Sequence, residues 1–211
     1  MLRICVFVSG GGTNLQAILD RIEDGRLPGC GVVAVISSKD GVFALERAKK
    51  QGIPTHVVSR KSFSDMEAFD EALIGTVTPY KPDLIVLAGY LSLLGEGFIK
   101  VYANKIINVH PSLIPSFCGK GFYGIIPHQK ALEAGVKVTG ATVHFVEPEY
   151  DSGPIIFQKA VEVQEADTPE SLQLRVMEEA EWHLLPEAIR LFSQGRLEVR
   201  GRHVRVVQNG I

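Results

Sequence analysis

Two short stretches hold residue types suited to chemistry. In INVHPSLIP, strand alternation puts Asn108 and His110 on one side and Val109 on the other, and Pro111 holds His110 extended while ending the run. A carboxamide that can donate to an oxyanion, beside an imidazole that exchanges a proton near neutral pH, suits attack on a carbonyl. The alternative is a strand end whose Asn and His only satisfy loop backbone. In VFVSGGGTNLQAIL, apolar and β-branched residues lead into Gly10, Gly11 and Gly12, then Thr13 and Asn14, then Leu15, Ile18 and Leu19 at helical spacing. This reads as strand, tight turn and helix, with glycines that permit close backbone approach and helix-opening N–H groups that form an anion site.

The identity of the anion is narrowed by what the turn lacks. A dinucleotide fingerprint needs a third glycine where Leu15 stands, and an acid where the second strand ends in Ser37 and Ser38. A nucleoside-triphosphate loop needs Gly-Lys-Ser/Thr, but Thr-Asn-Leu follows. What remains is a small phosphate ester held by the backbone from Gly11 to Asn14 and the side chains of Thr13 and Asn14, or a turn that merely caps its helix. Adjacent glycines each cost roughly 0.5–1 kcal/mol relative to alanine, which a simple cap does not require.

Two further features stay open on residues alone. Asp151 and Gly153 before Pro154 form an ordinary turn signal, or supply a carboxylate near His110; nothing local decides. Thr142 and His144 share a face of GATVHFV, either beside the site or as structural residues. No second His or Cys lies at ligand spacing from His110, so no metal is expected.

The elements that must position these groups follow from periodicity. Strand-length apolar runs at RICVFV, GVVAVIS, THVV, DLIVLAG and KIINVH alternate with amphipathic segments, which predicts βαβ units and a parallel sheet. VFALERAKKQG ends on Gly52, and SDMEAFDEALIGTV opens with a capping-box pattern of Ser64 and Glu67. After residue 110 a Gly- and Pro-rich loop precedes a helix around HQKALEAG and two β-rich runs, TGATVHFV and PIIFQKAVEV, predicted to pair antiparallel. A long helix starts at Thr168 with Pro169 in its first turn and runs towards Gly195, with a kink expected at Pro186. RLEVRGRHVRVV reads as a final hairpin. The predicted fold is α/β: a Rossmann-like, mostly parallel twisted sheet with helices on both faces and antiparallel strands in its C-terminal part.

Composition bounds the partners. The 211 residues are 45% hydrophobic and 22% charged, with net charge -2, which suits one core and lacks the basic excess of a nucleic-acid surface. Three cysteines, Cys5, Cys30 and Cys118, without close pairing fit a reducing compartment. No run of about 18 apolar residues and no cleavable leader pattern occurs. A soluble cytoplasmic protein, monomer or homodimer, acting on small molecules without nucleic acid or membrane, is expected.

Taken together, VSGGGTNLQAIL, DLIVLAGYLSLL, INVHPSLIPSF, ALEAGVKVTGATVHFV and YDSGPIIFQ, in this order and spacing, resemble the phosphoribosylglycinamide formyltransferases over almost the whole chain. INVHPSLIP with DSGPII marks the wider folate-dependent formyltransferase family, and SGGGTN points to the purine enzymes within it. The resemblance implies that the formyl group of 10-formyltetrahydrofolate passes to the amino group of glycinamide ribonucleotide. It implies that Asn108 hydrogen-bonds the developing oxyanion. Protonated His110 would stabilise the same oxygen and donate a proton, while Asp151 orients His110 and assists proton loss from the amine. It assigns Gly10, Gly11, Gly12, Thr13 and Asn14 to the ribonucleotide phosphate and Glu181 to its ribose; unaided, Glu181 reads as a solvated helix face. For the folate it implies Leu91, Ser92, Leu93 and Leu94, Asn108, and Glu147, Pro148, Glu149, Tyr150 and Asp151, with Met66 a further candidate contact. Met66 and Ser92 stand where some bacterial relatives carry arginine, and Trp182 where histidine is common. The loop FCGKGFYGIIP is expected to form a mobile cover.

One domain is expected, with residues 1–110 as the phosphate-binding half and 111–211 as the folate and catalytic half. The alternatives are a formyltetrahydrofolate hydrolase, which carries an extra N-terminal domain, and a methionyl-tRNA formyltransferase, which needs a C-terminal tRNA-binding domain. A third is a non-catalytic module that binds a phosphorylated metabolite through the glycine turn.

Overall fold

Continuous apolar runs bounded by glycine become strands covered on both faces, because such segments can bury every side chain only inside a parallel sheet. The computed structural model describes residues 1–208, which divide after Asn108 into two units, each with its own core. In the first, β1 (Leu2–Val8) is buried from Ile4 to Val8 and pairs parallel with β2 (Cys30–Ser37) and β4 (Leu84–Leu87). β3 (Thr55–Val57) joins the outer edge of β2, and β5 (Ile106–His110) pairs parallel with β4, its Asn108 opposite Leu87. The order β3-β2-β1-β4-β5 reverses direction between β2 and β4, so the turn after β1 lies at the switch point where open parallel sheets take ligands.

Three helices of this unit bear on the site. α1 (Thr13–Glu23) buries Leu15, Ile18 and Leu19, as its periodicity predicts, and α2 (Phe43–Lys50) buries Ala44, Leu45 and Ala48. α3 (Met66–Val77) is capped by Asp65, whose Oδ1 accepts the Ala68 N–H at 2.9 Å. The cap is therefore one residue later than the Ser64 expected from the sequence, and Ser64 instead donates its hydroxyl to Asp65. A carboxylate is the stronger acceptor for the orphan N–H groups of a first turn. Buried Asp70, on α3, accepts the N–H groups of Gly95 and Phe98 and so fixes the start of α4 (Glu96–Val101).

In the second unit, α5 (Ile126–Glu133) precedes β6 (Val138–Phe145), which pairs antiparallel with β7 (Ile155–Glu162) as expected. β8 (Leu197–Arg200) and β9 (His203–Val206) form the expected hairpin, and β9 meets β7 in parallel at Ile155 and His203. Ala131, Ala141, Val161, Leu172, Val176 and Ala180 form one of its buried clusters. The predicted long helix starts as expected, with Thr168 capping α6 (Pro169–Val176), but it is not continuous. A π-turn over Met177–Glu181 leads into α7 (Trp182–Ser193), which contains Pro186. Pro186 lies inside α7 beyond the π-turn, where its missing N–H leaves the Trp182 carbonyl without its usual helical partner. Among the described residues no helix is long and apolar enough to cross a membrane.

Candidate functional site

The second unit brings together groups that the sequence keeps far apart. His110 ends β5 and is only 4% exposed. Its Nδ1 lies 3.6 Å from Oδ2 of Asp151, and its Nε2–H donates to the Phe117 carbonyl at 3.0 Å. The Gly119 N–H donates to the same Asp151 oxygen at 2.8 Å. On the other side of the carboxylate, His144 Nε2 stands 3.6 Å from Oδ1, while its Nδ1–H donates to the Phe145 carbonyl at 2.7 Å. Asp151 is therefore a member of a buried polar cluster and not just a turn residue. His144 belongs beside the site, and Thr142 on the same face has the structural task. Its hydroxyl donates to the Ser112 carbonyl and accepts from the Ile114 N–H, which fixes the loop leaving His110.

Local backbone explains how these groups are aimed. Phe117 and Asp151 both hold φ of +50°, a conformation that costs non-glycine residues energy and persists where surrounding structure enforces it. Enforcement at Asp151 comes from Gly153, where a Cβ would stand 1.8 Å from the Phe145 carbonyl oxygen, so only glycine permits this close return of the chain.

The Asp151 carboxylate favours charged His110, yet burial outweighs it and the net shift is downward. Burial disfavours the imidazolium more than Asp151 and the Phe117 carbonyl support it, and His144 adds to the depression. At 3.6 Å the carboxylate is beyond hydrogen-bond range. Burial also pushes Asp151 up, but the neighbouring His144 and His110 imidazoles and the Gly119 N–H outweigh it and hold the carboxyl below the usual range. With Nε2–H committed to Phe117, a proton gained by His110 sits on Nδ1 against Asp151, and the pair can hold and pass on a proton.

Asn108 lies two residues before His110 on β5, half-buried and on the same side of the strand. In the first unit, the turn between β1 and α1 adopts the predicted geometry, with Gly12 as the helix N-cap at φ 71°. A Cβ on Gly12 would lie 2.6 Å from that of Ala44, so the fold itself requires glycine there. Gly10 and Gly11 are different: both are exposed, and a Cβ on either would meet nothing within 4 Å. Their lack of side chains leaves bare backbone at the switch point, as close approach of an anion demands.

Exposed apolar surface marks the residues assigned to the folate. Leu91 and Leu93 are 43% and 38% exposed, Leu94 is buried, and the Leu91 N–H is tied to Ser9 Oγ at 2.8 Å. Met66 opens α3 and its side chain borders Gly95, at the end of the same loop. In the second unit Glu147, Pro148, Glu149 and Tyr150 are exposed between β6 and Asp151. Glu181 overturns its reading as a solvated helix face: it is only 6% exposed, at the end of the π-turn. Carboxylates are seldom buried without a task, and π-turns gather at functional sites. Among the described residues no group of three or more His, Cys, Asp or Glu side chains is placed to hold a metal ion.

A parallel sheet with a glycine turn at its switch point and a buried His-Asp pair at the end of β5 are compatible with a group-transfer enzyme, and comparison with known proteins gives the class. The chain belongs to the formyl transferase family, whose model matches residues 2–189. Within that family it is similar to the phosphoribosylglycinamide formyltransferase of Escherichia coli (strain K12), at 39% identity over 198 residues that make up 94% of this chain and 90% of that one. It is 41% identical to the trifunctional purine biosynthetic protein adenosine-3 of Gallus gallus, of whose length it spans 19%. The crystal structure of glycinamide ribonucleotide transformylase 1 from Symbiobacterium toebii superposes with a TM-score of 0.92 at 45% identity, covering 99% of this chain and 95% of that one.

Proposed function

We propose that this chain transfers the formyl group of 10-formyltetrahydrofolate to the amino group of glycinamide ribonucleotide, giving N-formylglycinamide ribonucleotide and tetrahydrofolate in de novo purine synthesis. The observation that carries the reading is the buried His110–Asp151 pair at the end of β5, with Asn108 on the same side of that strand. In this reading Asn108 donates to the carbonyl oxygen as it becomes an oxyanion. The His110–Asp151 pair takes up the proton that the attacking amine sheds and returns one to the departing folate nitrogen. His144 and the Gly119 N–H keep the Asp151 carboxylate in place.

The turn from Gly10 to Asn14 holds the ribonucleotide phosphate, which the bare backbone of Gly10 and Gly11 favours, and buried Glu181 takes the ribose hydroxyls. Leu91, Ser92, Leu93 and Leu94, with Met66 nearby, and the segment Glu147–Asp151 hold the folate; the exposed Leu91, Leu93 and Tyr150 offer apolar surface to its rings. Holding amine and formyl carbon at about 3–3.5 Å supplies roughly 7–11 kcal/mol through proximity, and the oxyanion donor roughly 3–4 kcal/mol, so positioning is the larger share. The protein acts in the cytoplasm on small molecules, as a monomer or homodimer.

The test is release of tetrahydrofolate from 10-formyltetrahydrofolate with glycinamide ribonucleotide present and then omitted. Release that requires the ribonucleotide is the expected result. Release in both cases would identify a hydrolase, and release in neither a binding module or an enzyme with another acceptor.

A further inference from the structure

The glycine turn is shaped by α2 as much as by its own glycines. The Gly10 carbonyl accepts the Ala44 N–H at 3.1 Å, and the Gly11 carbonyl accepts Nε–H of Arg47 at 2.9 Å. Because C=O and N–H point in opposite directions across a trans peptide, drawing these two carbonyls towards α2 turns the N–H groups of Gly11 and Gly12 away from it. The stem of Arg47 lies beneath the turn, with Cδ 3.5 Å from where a Cβ of Gly12 would be. Its Nη1 donates to Gln16 Oε1 at 2.8 Å, and its guanidinium carbon sits 4.7 Å from the centre of the Phe43 ring. All these partners are neutral, and no carboxylate pairs with Arg47 among the described residues. A guanidinium locked by neutral contacts keeps its full positive charge beside the cradle, where pairing with a carboxylate would cancel it.

We propose that Arg47 is the positioning residue of the phosphate cradle: through the Gly11 carbonyl it fixes the Gly11–Gly12 peptide with its N–H towards the anion, and its uncompensated charge favours a phosphate dianion. This rests on the reading of the turn as the ribonucleotide phosphate site.

The test compares glycinamide ribonucleotide with its dephosphorylated riboside in wild type, Arg47→Met and Arg47→Lys. Arg47→Met keeps the stem and removes the charge and the donors. It is expected to raise KM for the ribonucleotide about 10- to 100-fold, the range of a hydrogen bond to a charged group. kcat, KM for 10-formyltetrahydrofolate and kcat/KM for the riboside stay unchanged, and Arg47→Lys recovers part of the loss. Equal losses on both substrates, without rescue by lysine, would reduce Arg47 to scaffold and overturn the proposal. An unchanged KM would overturn it too while leaving the phosphate site standing. A wild type that uses the riboside as well as the ribonucleotide would remove the phosphate reading and this proposal with it. A second readout needs no variant. The Nε–H resonance of Arg47 in the wild-type protein is expected to shift on titration with inorganic phosphate, with the same midpoint as the Gly11 and Gly12 amides. An unmoved Arg47 signal beside shifting glycine amides would reject the role.

Discussion

Asn108 is the residue asked to stabilise charge that exists only in the transition state, so its removal should slow turnover and leave binding almost intact. Asn108→Ala is expected to lower kcat about 10²- to 10³-fold with little change in KM, measured by steady-state release of tetrahydrofolate. Near-normal turnover would take Asn108 out of the chemistry. For His110 the balance of burial against the Asp151 carboxylate makes a directional prediction. By NMR its titration midpoint lies below the ordinary 6.5, and Asp151→Asn lowers it further by removing the main influence that supports the charged form. A midpoint above 6.5 in the wild type would show that the carboxylate, not burial, dominates. INVHP made Asn108 and His110 legible, because alternation and a terminal proline are local signals. The Phe117 carbonyl and the Gly119 N–H were not legible, since backbone groups have no side-chain signature. Asp151 and His144 reach His110 only through long-range folding, so residue types alone left both undecided.

The element that separates structural from functional glycine is the turn between β1 and α1. Gly12 sits at positive φ against Ala44, so Gly12→Ala is expected to cost about 1–3 kcal/mol of stability through backbone strain and overpacking. Gly10 faces open space, and Gly10→Ala should leave the melting temperature almost unchanged while raising KM for the ribonucleotide. Thermal unfolding and initial-rate kinetics on the two variants check the contrast, and a large loss of stability in Gly10→Ala would refute it. Most strand and helix positions were readable because apolar period and length decide them; the short α4 (Glu96–Val101) was not. The details lost were those that depend on which acceptor wins or where the helical ladder shifts: Asp65 in place of Ser64 as cap, and the π-turn over Met177–Glu181 that interrupts the long helix. That π-turn ends at Glu181, whose burial no helical-face pattern predicts.

At the scale of the whole molecule, the buried imidazoles set how stability responds to acid. His128 in α5 is fully buried, and neither ring nitrogen has a hydrogen-bond partner among the described residues. Burial, with a smaller contribution from the His110 charge, pushes its pKa down to about 4. Since the unfolded chain protonates this group near 6.5, it binds more protons than the fold between pH 6.5 and 4, and stability must fall as pH falls through that window. Above pH 6.5 both states hold it neutral and the effect vanishes. The depressed His110 acts in the same direction from pH 6.5 downward, and the depressed Asp151 contributes stability that is lost only below the ordinary carboxylate range. The linkage at His128 amounts to about 3 kcal/mol. His128→Leu exchanges an unpartnered polar ring for an apolar side chain of similar size, so it should be close to neutral at pH 7, where only the polar group's desolvation is at stake. At pH 4 the variant should be the more stable by about 3 kcal/mol, measured by urea unfolding across pH 4 to 8. Parallel pH dependences for wild type and variant would mean that His128 titrates normally in the fold, and that acid sensitivity resides in other groups, His110 and the carboxylates among them.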